Sequence, residues 1–95
     1  MNLKQMEYFV AVAEQLNFTR AARQCFISQT AMTLQIQSLE EKVGVPLFVR
    51  DKHHVELTAA GKVYLKEARA ILIRAEEAAK LARTAAEGVY GELTI

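Results

Sequence analysis

Amide and hydroxyl side chains that could recognise the base edges of DNA are concentrated in residues 28–43. Gln29 stands in the first turn of the helix expected there, and Thr30, Thr33 and Gln37 follow on its polar face. A glutamine presents a donor and an acceptor together, which match adenine N6 and N7, and a threonine methyl suits the thymine methyl. The chemistry indicated is recognition of bases through hydrogen bonds. Taken in isolation, this helix fits an ordinary solvent-exposed polar face better.

Binding of phosphate is the second chemistry that the sequence indicates. The net charge is only +1, but no Asp or Glu occurs from Gln15 through Leu39, a stretch that carries Arg20 and Arg23. A local face without acids can approach phosphates even when the whole chain is nearly neutral. The backbone N–H groups at the Ser28 end of the helix also favour an anion. On charge alone, a merely polar surface is the better interpretation.

Catalytic and metal chemistry have little support. The only aspartate is Asp51, and the chain has no nucleophile motif, glycine-rich phosphate loop or metal-ligand spacing. His53 and His54 adjoin without a nearby cysteine or carboxylate cluster, which makes a poor metal site. Cys25 is the only cysteine, so no intrachain disulfide forms, which fits a reducing cytoplasm. We expect no enzyme activity and no cofactor in this fragment.

Three helices are expected to position the polar face. An apolar stripe through residues 3–16 predicts the first helix, and Asn17 and Thr19 suit the start of a short second helix that ends near Cys25. Ser28 is the expected N-cap of the third helix, which runs to about residue 43. Gly44 then supplies a left-handed cap. The core-facing side chains of this helix are Met32, Ile36, Leu39 and Val43.

A short hairpin is predicted next, with strands in residues 47–50 and 55–57. A short helix, a tight connection and a polar-faced helix form the helix-turn-helix pattern, and the hairpin makes it winged. In the wing, residues 50–55, the side chains of Lys52, His53 and His54 could reach a neighbouring minor groove or the DNA backbone. A plain exposed hairpin tip explains them equally well.

A long fourth helix is predicted from Thr58 to about Glu87, roughly 30 residues and about 45 Å. Gly88 and Gly91 are expected to end it, and residues 92–95 resemble the beginning of a strand. A seven-residue repeat predicts a dimerisation seam on this helix. The seam comprises Tyr64, Leu65, Ala68, Ile71, Leu72, Ala75, Ala79 and Ala82. Packing on its own domain is the alternative; we favour a partner helix, because the helix is longer than so small a core.

The expected architecture is therefore mainly α. Residues 1–57 form a winged helix-turn-helix domain, residues 58–88 form a linker and dimerisation helix, and residues 89–95 begin the hinge to a missing domain. No apolar run approaches the roughly 18 residues that a membrane span needs, and the start lacks the layout of a signal peptide. We expect a cytoplasmic protein that does not enter the membrane.

An ordered set of short motifs resembles the LysR-type transcriptional regulators over essentially the whole chain. The motifs are Leu3-x-x-Met6-x-x-Phe9, Asn17-Phe18-Thr19-x-Ala21-Ala22, Ser28-Gln29-x-Ala31, Ile36-x-x-Leu39-Glu40, Gly44, Leu47-Phe48-x-Arg50 and Leu57-Thr58-x-Ala60-Gly61. No single motif is decisive, but their order and spacing are highly specific.

This resemblance implies a homodimer that reads a double-stranded DNA operator with its third helix. By matching position, Gln29, Thr30 and Thr33 would face bases, and we add Gln37. Contacts with phosphates, or with neighbouring residues that fix the local structure, would be made by Thr19, Ser28, Gln35 and Arg50. To the residues that contact the DNA backbone we add Arg20, Lys52 and His53. The resemblance also implies a carboxy-terminal domain that binds a small-molecule effector, a tetramer in the full-length protein and RNA polymerase as a candidate partner.

Three residues depart from the family pattern. Thr30 stands where proline or serine is frequent, Leu34 where a basic residue is frequent, and His53 where arginine is common. These departures concern affinity and the exact binding site. Two rival functions remain: a helical module that dimerises but binds protein, and a winged helix of another regulator family with a different dimer geometry. The acid-free stretch and the Gln/Thr face argue against the first rival.

Overall fold

Four helices and one two-stranded sheet make up the part of the chain that the structure describes. The computed structural model describes the backbone of residues 1–94 and the side chains of residues 1–88. The elements are α1 (Leu3–Gln15), α2 (Phe18–Gln24), α3 (Gln29–Val43), β1 (Phe48–Arg50), β2 (Val55–Leu57) and α4 (Ala59–Thr94). The predicted winged helix-turn-helix followed by a long helix is confirmed.

Side-chain caps fix where the helices begin. The oxygens of Asn17 and Ser28 accept the backbone N–H of Arg20 at 2.8 Å and of Ala31 at 3.0 Å. Thr58 Oγ1 likewise accepts the N–H of Gly61 at 2.9 Å. Such a cap is worth about 0.5–2 kcal/mol. These caps confirm the predicted helix starts.

The end of α3 and the start of α1 are also set by local contacts. Gly44 ends α3 with φ +92°, a left-handed conformation that favours glycine, as predicted. Asn2 caps α1 by accepting the N–H of Gln5 at 2.8 Å, and this cap was not among those predicted. The polar positions between the apolar stripes therefore set the helix boundaries.

Aromatic side chains join the helices to the wing. The rings of Phe9 and Phe48 lie 5.1 Å apart between centroids, and Tyr64 meets Phe9 edge to face at 5.0 Å. Phe18 meets Phe48 at 5.9 Å. Around them the largest fully buried side chains are Phe9, Met32, Ile36, Leu39, Leu47 and Val12. Because one core holds parts of every element, α3 and the wing keep a fixed relation to each other.

The wing is an antiparallel hairpin in which Phe48 pairs with Leu57 and Arg50 with Val55. Its turn is closed by the N–H of Asp51, which donates to the carbonyl oxygen of His54 at 2.9 Å. The Asp51 carboxylate also accepts the N–H of His53 at 2.9 Å. The turn residues thus form an ordered tip next to Arg50.

Helix α4 continues further than predicted. It runs through Gly88 and Gly91 to Thr94, so the prediction that these glycines end it is wrong, as is a strand at residues 92–94. A glycine costs about 1 kcal/mol relative to alanine in a helix but keeps its N–H donor, so it weakens a helix without stopping it. Ile95, the last residue of that predicted strand, lies outside the described residues.

Part of the predicted dimerisation seam packs on the chain's own domain. Ala68 is completely buried in the core of its own domain, so its assignment to a partner contact is wrong. Tyr64, Leu65 and Leu72 are half-buried and pack against the same core. The Tyr64 hydroxyl is buried without a hydrogen-bond partner among the described residues, and burial raises its pKa. The sequence repeat had identified a single face but not which part of it the domain itself covers.

The start of α4 lies against the backbone that leads into β1. A Cβ atom added at Gly61 would overlap the carbonyl oxygen of Leu47, so only glycine fits this close approach. Farther along, Arg69 donates to the Glu14 carboxylate of α1 at 3.1 Å. Within residues 1–94, no helix combines the length and apolar character needed to cross a bilayer.

Candidate nucleic-acid interface

The outer face of α3 is a shallow groove of about 460 Å³ that gathers all four predicted base-contacting residues. Its lining consists of Gln29, Thr30, Thr33, Leu34 and Gln37. On the opposite side of the helix, Met32, Ile36 and Leu39 are completely buried. The helix therefore presents one hydrogen-bonding face to solvent while its other face is fixed in the core.

Gln29 is oriented by a neighbour on α2. The Thr19 hydroxyl donates to Gln29 Oε1 at 3.0 Å. This bond engages the amide oxygen and leaves the Nε2 group of Gln29 as a donor for a ligand. Thr19 was predicted to contact phosphate or to fix the local structure, and the contact observed is the second kind, a hydrogen bond to a neighbouring side chain.

A second depression, of about 290 Å³, connects this face to the wing. It is bordered by Leu16, Asn17, Phe18, Thr19, Gln29, Thr33, Arg50, Asp51, Lys52, His53, His54 and Val55. Gln29 and Thr33 border both depressions, so the α3 groove and the wing form one continuous surface. We call this continuous surface the α3–wing surface.

Arg50 is held in place at the edge of the α3–wing surface. Its guanidinium carbon lies 4.4 Å from the centroid of the Phe18 ring, a cation–π contact. Phe18 is itself buried against Phe48, so the ring is a fixed support. The guanidinium keeps its five N–H donors, which suit a phosphate. Arg50 is therefore a cation held in a fixed position in the wing, as a contact with the DNA backbone requires.

Three predicted backbone-contacting residues border neither depression. Ser28 is exposed and caps the start of α3, and Arg20 is exposed in the first turn of α2. Gln35 is half-buried and accepts a hydrogen bond from Gln5 Nε2 at 3.1 Å. The observed role of Gln35 is thus to tie α3 to α1. Phosphate contacts from these residues stay a prediction.

Two structural residues behind the surface were missed. Gln5 is buried and lies within hydrogen-bond distance of both Gln35 and Ser38 on α3. Its spacing within α1 gave no signal, because the partners lie 30 or more residues away. The Glu40 carboxylate accepts the N–H groups of Leu47 and Phe48 at 2.7 and 3.2 Å and so anchors β1 to α3. Glu40 belongs to the family-like motif Ile36-x-x-Leu39-Glu40, so its importance could have been predicted from the sequence.

The wing histidines do not form part of a metal-binding group. His54 Nε2 lies 2.7 Å from a carboxylate oxygen of Glu56, and both side chains are exposed. Among the side chains of residues 1–88, no group of three His, Cys, Asp or Glu is placed to hold a metal ion. His53 borders the second depression.

Comparison with known proteins gives a family match over most of the chain. The model of the "Bacterial regulatory helix-turn-helix protein, lysR family" matches residues 3–62. This range holds α1, α2, α3, the wing and the first turn of α4. The match therefore covers the whole α3–wing surface.

Curated relatives share about half of their aligned residues with this chain. The Hca operon transcriptional activator HcaR of Escherichia coli (strain K12) is 55% identical over 87% of the chain and 28% of its own length. The regulators TfdT of Cupriavidus pinatubonensis and AlsR of Bacillus subtilis (strain 168) are 46% and 44% identical over 100% of the chain. The chain spans 42% of TfdT and 32% of AlsR.

Solved structures of similar proteins have the same fold, and several contain DNA. The CbnR_DBD–DNA complex matches with a TM-score of 0.88 and 43% identity, over 90% of this chain and 99% of that one. The BenM_DBD/benA site 1 DNA complex matches with a TM-score of 0.88 and 34% identity, over 93% of this chain and 99% of that one. Full-length CbnR complexed with its target DNA matches with a TM-score of 0.84 and 42% identity, over 87% of this chain and 29% of that one.

Proposed function

The chain belongs to the LysR family of bacterial regulatory helix-turn-helix proteins, and we propose that it binds double-stranded DNA sequence-specifically as a dimer. The observation that carries this proposal is the α3–wing surface. There, four hydrogen-bonding side chains share the outer face of α3 and adjoin Arg50 and Lys52 of the wing.

In this proposal α3 lies in the major groove. Gln29 offers its Nε2 donor to a base acceptor, and Thr30, Thr33 and Gln37 meet bases farther along the helix. Arg50 contacts a phosphate from its support on Phe18. The remaining backbone contacts come from Thr19, Arg20, Ser28, Gln35, Lys52 and His53. The structurally similar CbnR and BenM domains were solved as DNA complexes, which supports DNA binding by this domain.

The regulatory role rests on the relatives. HcaR and AlsR are named as regulators of transcription, and although the chain spans only 28% and 32% of their lengths, we propose the same role for this protein. We propose that a carboxy-terminal domain binds a small-molecule effector, that the full-length protein is a tetramer and that it contacts RNA polymerase. Since bacterial DNA lies in the cytoplasm, the proposed place of action is the cytoplasm.

Two substitutions separate base reading from phosphate binding. A preferred duplex is first selected from a random DNA pool, and affinities for it and for a random duplex are measured over a range of salt concentrations. Gln29→Ala should weaken the preferred duplex by about 1–3 kcal/mol and leave the random one nearly unchanged. Arg50→Ala should weaken both equally and reduce the salt slope by about one.

Gln24→Ala is the matched control for this experiment. Gln24 is an exposed glutamine of α2 that pairs with Gln15 at 2.9 Å and borders neither depression, so its loss should change neither affinity. Equal losses on the preferred and random duplexes for Gln29→Ala would contradict the assignment of Gln29 to bases. Absence of salt-dependent DNA binding by the unmodified chain would favour a protein-binding module.

A further inference from the structure

A large apolar side chain occupies the middle of the polar face of α3. Leu34 is 59% exposed and lines the same groove as Gln29, Thr30, Thr33 and Gln37. Single exposed leucines are ordinary on protein surfaces, but this one stands among the four hydrogen-bonding side chains of the proposed DNA-binding face. Leu34 is not part of the hydrophobic core. In the family that the sequence resembles, a basic residue is frequent at this position, so the family pattern does not explain a leucine.

The position of Leu34 on the helix makes it the most outward of these side chains. Met32 and Ile36, each two residues away, are completely buried. Because successive residues are about 100° apart around a helix, Leu34 points almost directly away from both. Thr30 and Gln37 lie only about 40° and 60° from Leu34 around the helix, so a helix that brings these two residues to base edges also brings Leu34 there.

The floor of the major groove offers few apolar partners for a leucine. Every base pair presents hydrogen-bonding groups there, and the apolar feature is the methyl group at C5 of thymine. The methyl of 5-methylcytosine occupies the same place. Over any other base edge, a side chain without donors or acceptors would cover an amino, carbonyl or ring-nitrogen group without pairing it, whereas beside the thymine carbonyl it meets a methyl group.

We propose that Leu34 determines specificity by packing against the C5-methyl group of a pyrimidine, thymine in unmodified DNA. This inference rests on the proposed function, since it requires α3 to lie in the major groove. A basic residue at this position would add affinity for any sequence, whereas leucine adds preference for one methyl group and a weaker dependence on salt.

The test is a scan in which each thymine of the selected duplex is replaced singly by uracil. This replacement removes one methyl group and leaves every hydrogen-bonding group of the base in place. With the unmodified chain, we expect one position in each half-site where the affinity falls about fourfold, as for one buried methyl group. Leu34→Ala should bind thymine and uracil equally at that position. Alanine suits an exposed helix position, so this variant keeps the fold.

Two further arms identify the source of the effect. A cytosine at that position should weaken binding, and 5-methylcytosine should restore part of the loss if the methyl group is what Leu34 contacts. Val49→Ala is the matched control, because Val49 is also 59% exposed but borders neither depression. It should keep the sensitivity to uracil.

The outcomes are distinct. The inference is overturned if no position is sensitive to uracil, if the selected half-sites contain no thymine, or if Leu34→Ala retains the full sensitivity, as it would if a threonine methyl made the contact. In each of these cases the chain still prefers its selected duplex. If instead the chain shows no preference for any duplex over random DNA, the proposed function itself fails.

Discussion

At the scale of single residues, Phe26 has an unusual conformation. It lies in the turn between α2 and α3 with φ +60°, and its side chain is 94% exposed. A left-handed backbone costs a residue with a Cβ atom about 1–2 kcal/mol, and an exposed ring contributes almost no burial in return. The tight turn of the helix-turn-helix is therefore strained at Phe26.

Replacement of Phe26 by glycine should remove this strain. After subtraction of the greater freedom of glycine in the unfolded chain, we expect Phe26→Gly to raise the free energy of unfolding by about 0.5–1 kcal/mol. Gly44→Ala is the converse control. Gly44 has φ +92° and open space around its Cβ position, so alanine there should lower stability by about 1 kcal/mol through strain alone. Urea denaturation measures both, and a less stable Phe26→Gly would show that the ring makes a stabilising contact.

The residues that share the outer face of α3 could be predicted from sequence, because they lie within one helix. Gln29, Thr30, Thr33 and Gln37 were placed together because helical periodicity relates residues a few positions apart. The bond from Thr19 to Gln29 and the ring beneath Arg50 depend on how two elements cross. No spacing in the sequence encodes these contacts, so the groups that orient the site could not be predicted.

At the scale of elements, the boundaries that depend on capping were predictable from sequence. Asn17, Ser28 and Thr58 each accept a backbone N–H three residues later, a contact wholly within the local segment. The far end of α4 was not predictable in this way. Glycine is a cap only when the chain adopts a left-handed turn, and at Gly88 it does not, since the helix continues to Thr94.

The seam on α4 is a second case in which the sequence pattern predicts only part of the structure. A seven-residue repeat tells which side chains share a face but not what covers that face. Ala68 and Ala82 occupy equivalent places in the repeat, yet Ala68 is completely buried by its own domain and Ala82 is exposed. The difference comes from where the small domain ends along the helix, which is a tertiary property.

At the scale of the whole molecule, α4 extends beyond the domain that it packs on. The molecule measures 63 × 26 × 19 Å, and a helix of 36 residues is about 54 Å long. Past the core, the seam side chains Ile71, Ala79 and Ala82 are exposed and Ala75 is half-buried. Small residues allow close approach of a second helix. We therefore place the proposed dimer contact on Ile71, Ala75, Ala79 and Ala82.

Two exposed isoleucines of α4 test this placement. Ile71 lies on the seam, whereas Ile73 points to nearly the opposite side of the helix, about 160° away. Ile71→Glu should weaken the dimer by at least about tenfold, because its charge would be desolvated against the partner. Ile73→Glu, with the same change of charge, should leave the dimer intact. Sedimentation equilibrium measures the dimer constant, and circular dichroism checks that both variants stay helical. Equal effects of the two variants would place the interface elsewhere.

The central claim is that two copies of α3 read two half-sites from one face of a DNA duplex. Hydroxyl-radical footprinting of the chain on its selected duplex tests this most directly. We predict two protected segments whose centres are separated by about one helical turn, roughly 34 Å, or a multiple of it. Both should disappear together in Ile71→Glu at concentrations that leave the unmodified chain bound. A single protected segment, or protection without any regular spacing, would contradict the account.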